Sequence, residues 1–207
     1  MTVAEVMAGV LAKDGLAADD GVTFSGGEPL MQPPFLTALL SGCRELGLHT
    51  AVDTCGFAPA EQLQAVAALS DLFLFDLKCL DAARHQAYTG VSNALILENL
   101  RLLGRLHARL WVRLPLVPGL NDDPAELTGL AQFVATIPGV ELVQLLPYRP
   151  SGVQASRRSP EGNRLATAAP PAPPTLEAAA GRFRAAGVTA TVLGAELGVG
   201  EVGAHGL

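Results

Sequence analysis

The sequence predicts an α/β fold in which helices cover a parallel β-sheet, and three observations support this prediction. Short β-prone runs alternate with helical patterns along most of the chain, an order typical of βαβ units. The run from Leu72 to Phe75 is continuously apolar, as expected for a strand buried beneath helices. The 207 residues are 49% apolar and only 16% charged, which is enough apolar material for a large core.

The spacing of apolar residues and the positions of proline and glycine define the individual elements. Pro33 and Gly47 bracket one helix, because proline favours the first turn of a helix and glycine its end. Apolar residues at helical spacing or in short β-prone runs define the others. The predicted strands are 22–24, 49–53, 72–77, 110–116, 141–146 and 188–193, and the predicted helices are 3–13, 33–46, 60–69, 81–88, 93–108, 124–136 and 175–186.

The change in composition after Tyr148 predicts three parts of the chain. Residues 1–150 form the α/β core, residues 151–174 a Pro/Ala-rich linker, and residues 175–207 a C-terminal helix, a strand and a flexible tail. Thr175 is expected to cap this last helix, with Glu177 in its first turn. Trp111 lies in a predicted strand and is expected in the core.

Charge and cysteine content argue against several functional classes. A net charge of −6 and a pI near 5.1 provide no basic surface for nucleic acid. No apolar run is long enough to cross a bilayer and no signal peptide is recognisable, so we expect a cytoplasmic protein. Cys43, Cys55 and Cys79 form no CxxC or CxxxCxxC cluster. We expect Cys43 in the core and assign chemistry to none of the three.

The loop after the first predicted strand is the most informative segment. Ser25 is followed by Gly26 and Gly27, and glycine lets a ligand approach the main chain closely. Glu28 then places a carboxylate at the same strand end, where it suits an ammonium group. The structural alternative is a strand-to-helix turn with an exposed acid.

Polar residues also follow the other strands, and ligands of parallel α/β folds bind at these carboxyl ends. These residues are Asp53 and Thr54 after the second strand, Asp76 and Lys78 with Leu77 between them after the third, Arg113 in the fourth, and Arg149 after the fifth. Each has a simpler reading, such as a turn cap for Asp53 or a surface pair of Asp76 with Lys78. Together they predict one site for a zwitterionic ligand that carries ammonium and carboxylate groups.

Six segments in this order resemble the glycyl-radical-enzyme activating proteins, which are radical S-adenosylmethionine (SAM) enzymes of the pyruvate formate-lyase activase type. The resemblance covers residues 2–148. The matching segments are Gly21–Leu30, Asp53–Gly56, Asp76–Lys78, Gly90–Asn93, Val112–Asp123 without Leu114, and Leu145–Tyr148.

This resemblance implies a fold, an oxidoreductase activity and partners. The implied fold is a partial (β/α)6 TIM-like barrel of the radical SAM type, here missing its first strand and cluster loop. The implied cofactors are SAM and a [4Fe–4S] cluster, and reductive cleavage of SAM yields a 5′-deoxyadenosyl radical. The implied protein substrate is a glycyl radical enzyme, which loses a glycine hydrogen atom, and the implied electron donor is reduced flavodoxin or ferredoxin.

The resemblance also implies roles for individual positions. The motif that holds the methionine ammonium is matched by Ser25, Gly26, Gly27 and Glu28. Positions beside SAM are matched by Asp53, Asp76 and Lys78, and a monovalent-cation site of some members is matched by Asp53, Thr54 and Asp76. Arg113 matches an arginine near the methionine carboxylate, and Arg149 stands where many members have histidine.

This sequence departs from the family in one respect: it lacks the CxxxCxxC motif, which supplies three thiolates to the cluster. Met1 falls after the position of that region. We expect a truncated version of a longer protein; a degenerate paralogue and a separately encoded cluster segment are the alternatives. Loss of the first strand would leave strand 22–24 as an unpaired edge.

The sequence is also compatible with two other functions. One is a module that binds SAM or a partner without catalysis. The other is a phosphate-binding (β/α) enzyme with Glu28 or Asp76 as its base, which requires a glycine-rich loop after a late strand. Residues 194–203 are glycine-rich but have no helix after them.

Overall fold

A computed structural model describes residues 1–12, 21–106, 109–148 and 169–194. Within them, six strands form one parallel sheet in the order β1-β2-β3-β4-β5-β6, which confirms the predicted α/β class. The strands are β1 Gly21–Phe24, β2 His49–Thr54, β3 Leu72–Asp76, β4 Leu110–Leu116, β5 Val140–Pro147 and β6 Ala190–Val192. The helices are α1 Val3–Leu11, α2 Pro33–Glu45, α3 Ala60–Ala67, α4 Ala82–Thr89, α5 Ala94–Leu106, α6 Pro124–Ala135 and α7 Pro173–Ala185, with a short 3-10 helix at Pro29–Met31.

Capping residues set the helix ends. Thr2 and Glu5 cap α1 reciprocally: the Glu5 amide donates to Thr2 Oγ1 at 3.2 Å, and the Thr2 amide donates to Glu5 Oε2 at 2.7 Å. Asp123 accepts from two first-turn amides of α6. After α2 the chain turns at Gly47 with a φ of 71°, as the sequence predicted.

The two faces of the sheet have different roles. Alternate side chains such as Phe73, Phe75 and Val112 are fully or almost fully buried in the main apolar core. Their neighbours along the strands point to the other face, where Asp76 and Arg113 are only partly buried. The covered face therefore stabilises the fold, and the second face carries the polar groups.

Trp111 lies on this second face, which corrects the expectation that it is a core residue. Its register partner in β3 is Leu74, and both side chains remain partly exposed. The indole Nε1 donates to Glu141 Oε2 at 3.2 Å. An indole with a polar partner at a partly open face satisfies its N–H there, whereas full burial would have required an acceptor in the core.

Helix α7 begins at Pro173 rather than at Thr175, so Thr175 is not its cap. The N-cap is Ala172, which has no side-chain acceptor, and proline occupies the first turn. Glu177 consequently lies beyond the first turn, and its Oε1 accepts from Arg184 Nη1 at 2.6 Å. The helix buries Leu176 and Phe183 in the main core, and β6 extends the sheet beside β5.

Gly56 and Gly47 have nearly the same backbone conformation, with φ angles of 72° and 71°. Comparing their alanine variants therefore separates the cost of steric overlap from the cost of a left-handed backbone. A Cβ on Gly56 would lie 2.3 Å from Cε2 of the buried Phe75, whereas nothing approaches within 4 Å of a Cβ on Gly47. We expect Gly47→Ala to cost about 1 kcal/mol of unfolding free energy and Gly56→Ala to cost about 1–3 kcal/mol more. Urea unfolding measures both, and equal losses would contradict the overlap.

Candidate functional site

The carboxyl ends of β2, β3 and β4 bring three charged side chains together. Arg113 is the register partner of Asp76 in β3, and Asp53 lies near the end of β2. Arg113 Nε and Nη2 donate to Asp76 Oδ1 at 3.0 and 2.9 Å, and Nη2 also donates to Asp53 Oδ1. Parallel strands end on the same edge of a sheet, and this places the three side chains at one rim.

Two further predicted residues extend this group. Ser25, in the loop after β1, donates from Oγ to Asp53 Oδ2 at 2.9 Å. Lys78 follows β3 and places Nζ 3.8 Å from Asp76 Oδ2, with 41% of its side chain exposed. We call Ser25, Asp53, Asp76, Lys78 and Arg113 the rim cluster. The sequence predicted that these residues lie together, and the structure brings them into one chain of contacts.

Glu28 belongs to a second group beside the rim cluster. Its Oε1 accepts from Thr54 Oγ1 at 2.5 Å and from the Leu30 amide at 3.1 Å. Its Oε2 accepts from both the amide and the thiol of Cys55 at 2.9 Å. Four protein donors thus hold the carboxylate in place, and Glu28 also serves as N-cap of the 3-10 helix.

The remaining predicted site residues are placed as follows. Gly26 and Gly27 are exposed, Gly26 has a φ of 146°, and a Cβ on either would meet nothing within 4 Å. The backbone of this loop is therefore open to a ligand. Leu77 has its side chain in the core, so only its backbone belongs to the rim. Arg149 lies outside the described residues, as do residues 195–203 of the glycine-rich segment.

Sequence reasoning assigned no role to Cys55 or Asn99, although both hold the loop after β2. Cys55 contacts Glu28 as described above. Asn99, in α5, is 2% exposed and donates from Nδ2 to the carbonyls of Gly56 and Ala58 at 2.7 Å each. A lone asparagine within the apolar stripe of a helix is the signal that could have indicated this role.

Burial raises the pKa of Asp53 above its ordinary value of 3.8, because desolvation disfavours the charged carboxylate. The positive charge of Arg113 and the hydrogen bond from Ser25 oppose this effect, and the negative charge of Asp76 adds to it. Arg113 and Asp53 are both largely shielded, each with 18% of its side chain exposed.

The sequence profile of the radical SAM superfamily matches residues 1–130, so the chain belongs to that superfamily. A trans-4-hydroxy-L-proline dehydratase activating enzyme of Clostridioides difficile is 40% identical over 135 residues, which cover 64% of this chain and 44% of that protein. A pyruvate formate-lyase-activating enzyme of Listeria monocytogenes is 38% identical over 143 residues, covering 66% and 58%. The chain thus spans about half the length of these curated relatives.

A solved structure extends the similarity to the fold. The crystal structure of a domain of pyruvate-formate lyase-activating enzyme from Bacteroides vulgatus superimposes with a TM-score of 0.71 at 32% identity, covering 84% of this chain and 98% of that domain. These comparisons confirm the resemblance to activating enzymes that the sequence motifs indicated. Enzymes of this superfamily use SAM and a [4Fe–4S] cluster.

The described residues fit SAM but not the cluster. The rim cluster offers carboxylates and cations beside an open glycine backbone, the groups that an amino-acid ligand requires. A cluster requires thiolates, and no three His, Cys, Asp or Glu side chains in the described ranges converge on a metal position. Burial raises the pKa of Cys43, and raises the pKa values of Cys55 and Cys79 to about 11, so these thiols stay protonated at neutral pH.

We expect Arg113→Met to raise the pKa of Asp53 further, since it removes the charge that most strongly opposes desolvation. A raised folded-state pKa means that stability is greatest below the unfolded value and falls as pH rises through the folded value. This loss should be larger in Arg113→Met and should extend to higher pH. NMR titration of the Asp53 carboxyl carbon measures the pKa, with Arg184→Met as control. A lower pKa for Asp53 in Arg113→Met would refute the assignment.

We also expect Glu28→Gln to lower the pKa of Cys55. After burial, the hydrogen bond from the thiol to Glu28 is the largest cause that raises this pKa, and the negative charge of Glu28 adds to it. The pH dependence of Cys55 alkylation, followed by mass spectrometry in a Cys43→Ala/Cys79→Ala background, reports the thiolate fraction. An unchanged profile would mean that Glu28 does not contact the thiol in solution.

Proposed function

We propose that this chain is the SAM-binding part of an enzyme that activates a glycyl radical enzyme. The observation that supports this best is the rim cluster, which gathers two carboxylates, a lysine and an arginine next to a glycine backbone open to ligand. Membership in the superfamily and similarity to named activating enzymes agree with this assignment.

Arg113 and Lys78 are suited to bind the ligand carboxylate. Two of the three guanidinium nitrogens, Nε and Nη2, bond to the aspartates. Among the described residues Nη1 has no protein acceptor, so its N–H groups are available to a carboxylate. Within the described ranges, the ammonium of Lys78 has only the 3.8 Å contact to Asp76, so it retains donors as well.

The ligand ammonium would be attracted by the negative charge of Glu28. Both oxygens of Glu28 already accept two hydrogen bonds each from the protein. Glu28 therefore contributes mainly its negative charge, while the open main chain at Gly26 and Gly27 allows close approach. This division of roles agrees with the assignment of residues 25–28 to the ammonium.

The whole reaction includes groups beyond these residues. When bound, SAM and the cluster supply the radical chemistry of this family, and the proposed protein substrate is a glycyl radical enzyme. We include a reduced flavodoxin or ferredoxin as electron donor and a cytoplasmic location in the same proposal. No helix in the described part of the chain is long and apolar enough to span a bilayer.

Calorimetry with SAM on the purified chain tests the proposal, with methionine and adenosine as partial ligands. Arg113→Gln removes charge-assisted hydrogen bonds worth about 1.5–3 kcal/mol, so we expect Kd to rise roughly 10- to 150-fold. Arg184→Gln is the matched control, since Arg184 also pairs with a carboxylate but lies on α7. Absence of SAM binding to the wild-type chain, or equal effects of the two variants, would refute the proposed site.

A second candidate is a SAM- or partner-binding module without catalysis, which the lack of converging metal ligands among the described residues favours. Sequencing the genomic DNA upstream of the Met1 codon separates the two candidates. An in-frame segment that encodes CxxxCxxC supports the activating enzyme, and a stop codon there without an alternative start supports the module.

A further inference from the structure

We propose that two buried asparagines, Asn93 and Asn121, are positioning residues that hold the loop carrying Lys78 in its ligand-binding conformation. The proposal rests on the function proposed above and adds residues that do not touch the ligand. The loop in question is residues 77–80, which follow β3 and connect Asp76 to the N-cap of α4.

Asn121 joins this loop to the loop after β4. It is 2% exposed, and its Nδ2 donates to the carbonyls of Lys78 at 2.9 Å and Pro115 at 2.7 Å. Its Oδ1 accepts from the Val117 amide at 2.8 Å. Both donors and the acceptor of the amide are therefore used, and the bonds link the Lys78 backbone to the strand that carries Arg113.

Asn93 holds the next two residues from the opposite side. It is also 2% exposed, and its Nδ2 donates to the carbonyls of Cys79 at 2.9 Å and Leu80 at 2.8 Å. Three consecutive carbonyls, from Lys78 to Leu80, thus accept from two buried side-chain amides. Because three of its four carbonyls are held in this way, the loop of residues 77–80 has little freedom to change its backbone dihedrals.

Two amide groups of the loop are held as well. The Leu77 amide donates to the Arg113 carbonyl at 2.9 Å, and the Leu80 amide donates to Glu126 Oε1 at 2.6 Å. The backbone is therefore fixed on both sides of Lys78, although its side chain is 41% exposed. An exposed lysine loses much rotamer entropy when it binds a ligand, and a fixed backbone reduces the further ordering cost.

This arrangement explains why asparagine is suited to the two positions. An asparagine amide offers two donors and one acceptor on a short side chain, so it can bridge two backbone segments inside a core. Alanine at either position would remove the side-chain donor from two backbone carbonyls, and the loop would be free to move toward water. Asn121→Asp would keep the size of the side chain but set a carboxylate oxygen against two carbonyl oxygens.

Hydrogen exchange of the Leu77 and Leu80 amides tests the positioning role without any ligand. We expect Asn93→Ala and Asn121→Ala to speed exchange of these two amides by about tenfold or more, beyond the change in global stability. Val134→Ala, a fully buried core change at the far end of α6, serves as the control for global stability. Unchanged protection of both amides would overturn the proposal. If either alanine variant does not fold, the aspartate variant of the same residue, Asn93→Asp or Asn121→Asp, replaces it with the same expectation.

A double-mutant cycle with Lys78→Ala tests the link to binding. Asn121→Ala should weaken SAM binding by about tenfold in the wild-type background and by much less in the Lys78→Ala background, because its effect passes through Lys78. Equal losses in both backgrounds would overturn the positioning role. Failure of the wild-type chain to bind SAM would instead refute the proposed function, and the exchange experiment would still decide whether the asparagines hold the loop.

Discussion

The bridge that Arg113 makes between Asp53 and Asp76 is the interaction on which the site depends. Two carboxylates at neighbouring strand ends, each partly removed from water, repel one another and pay a desolvation cost. The guanidinium contacts both, and its planar fork reaches two strands at once. The ends of β2, β3 and β4 are therefore joined by charge as well as by the backbone ladder.

The loops around this bridge are held by polar contacts in addition to apolar packing. Glu28 is held by donors from its own loop and from the loop after β2, and Asn99 holds that second loop from α5. Backbone groups beyond the last ladder hydrogen bond of a strand need other partners, and here side chains supply several of them. The same side chains that satisfy the backbone also set the positions of the charged groups.

The covered face of the sheet and the polar rim have separate roles: the first stabilises the fold, and the second carries the charged groups. Helices and the buried strand face supply the apolar core that stabilises the fold, while the rim retains charges that remain partly hydrated. The protonated cysteines within the described residues belong to the supporting part of this arrangement: Cys55 donates to Glu28, and Cys43 is fully buried. Within the described residues, the apolar core and the charged rim are thus separate parts of the fold.

Local sequence information was sufficient for the element order and for much of the site. Alternation of apolar runs, Pro33 and Gly47 predicted the ends of the strands and helices to within two residues, because burial on one face imposes periodicity on the sequence. The position of Asp53, Asp76 and Lys78 at strand ends, with Arg113 inside the fourth strand, predicted their convergence, since parallel strands share one carboxyl edge. The motifs of residues 21–30 and 112–123 indicated the family.

Other features were decided only by the tertiary structure. Trp111 is apolar enough for a core, yet the register of β4 places it on the open face beside Glu141. Thr175 is a good helix cap in isolation, but α7 begins two residues earlier at Pro173. The thiol contact of Cys55 and the amide bridges of Asn93 and Asn121 join segments far apart in the chain. Sequence periodicity reports which face of an element is buried, whereas partners across the fold depend on how the elements pack.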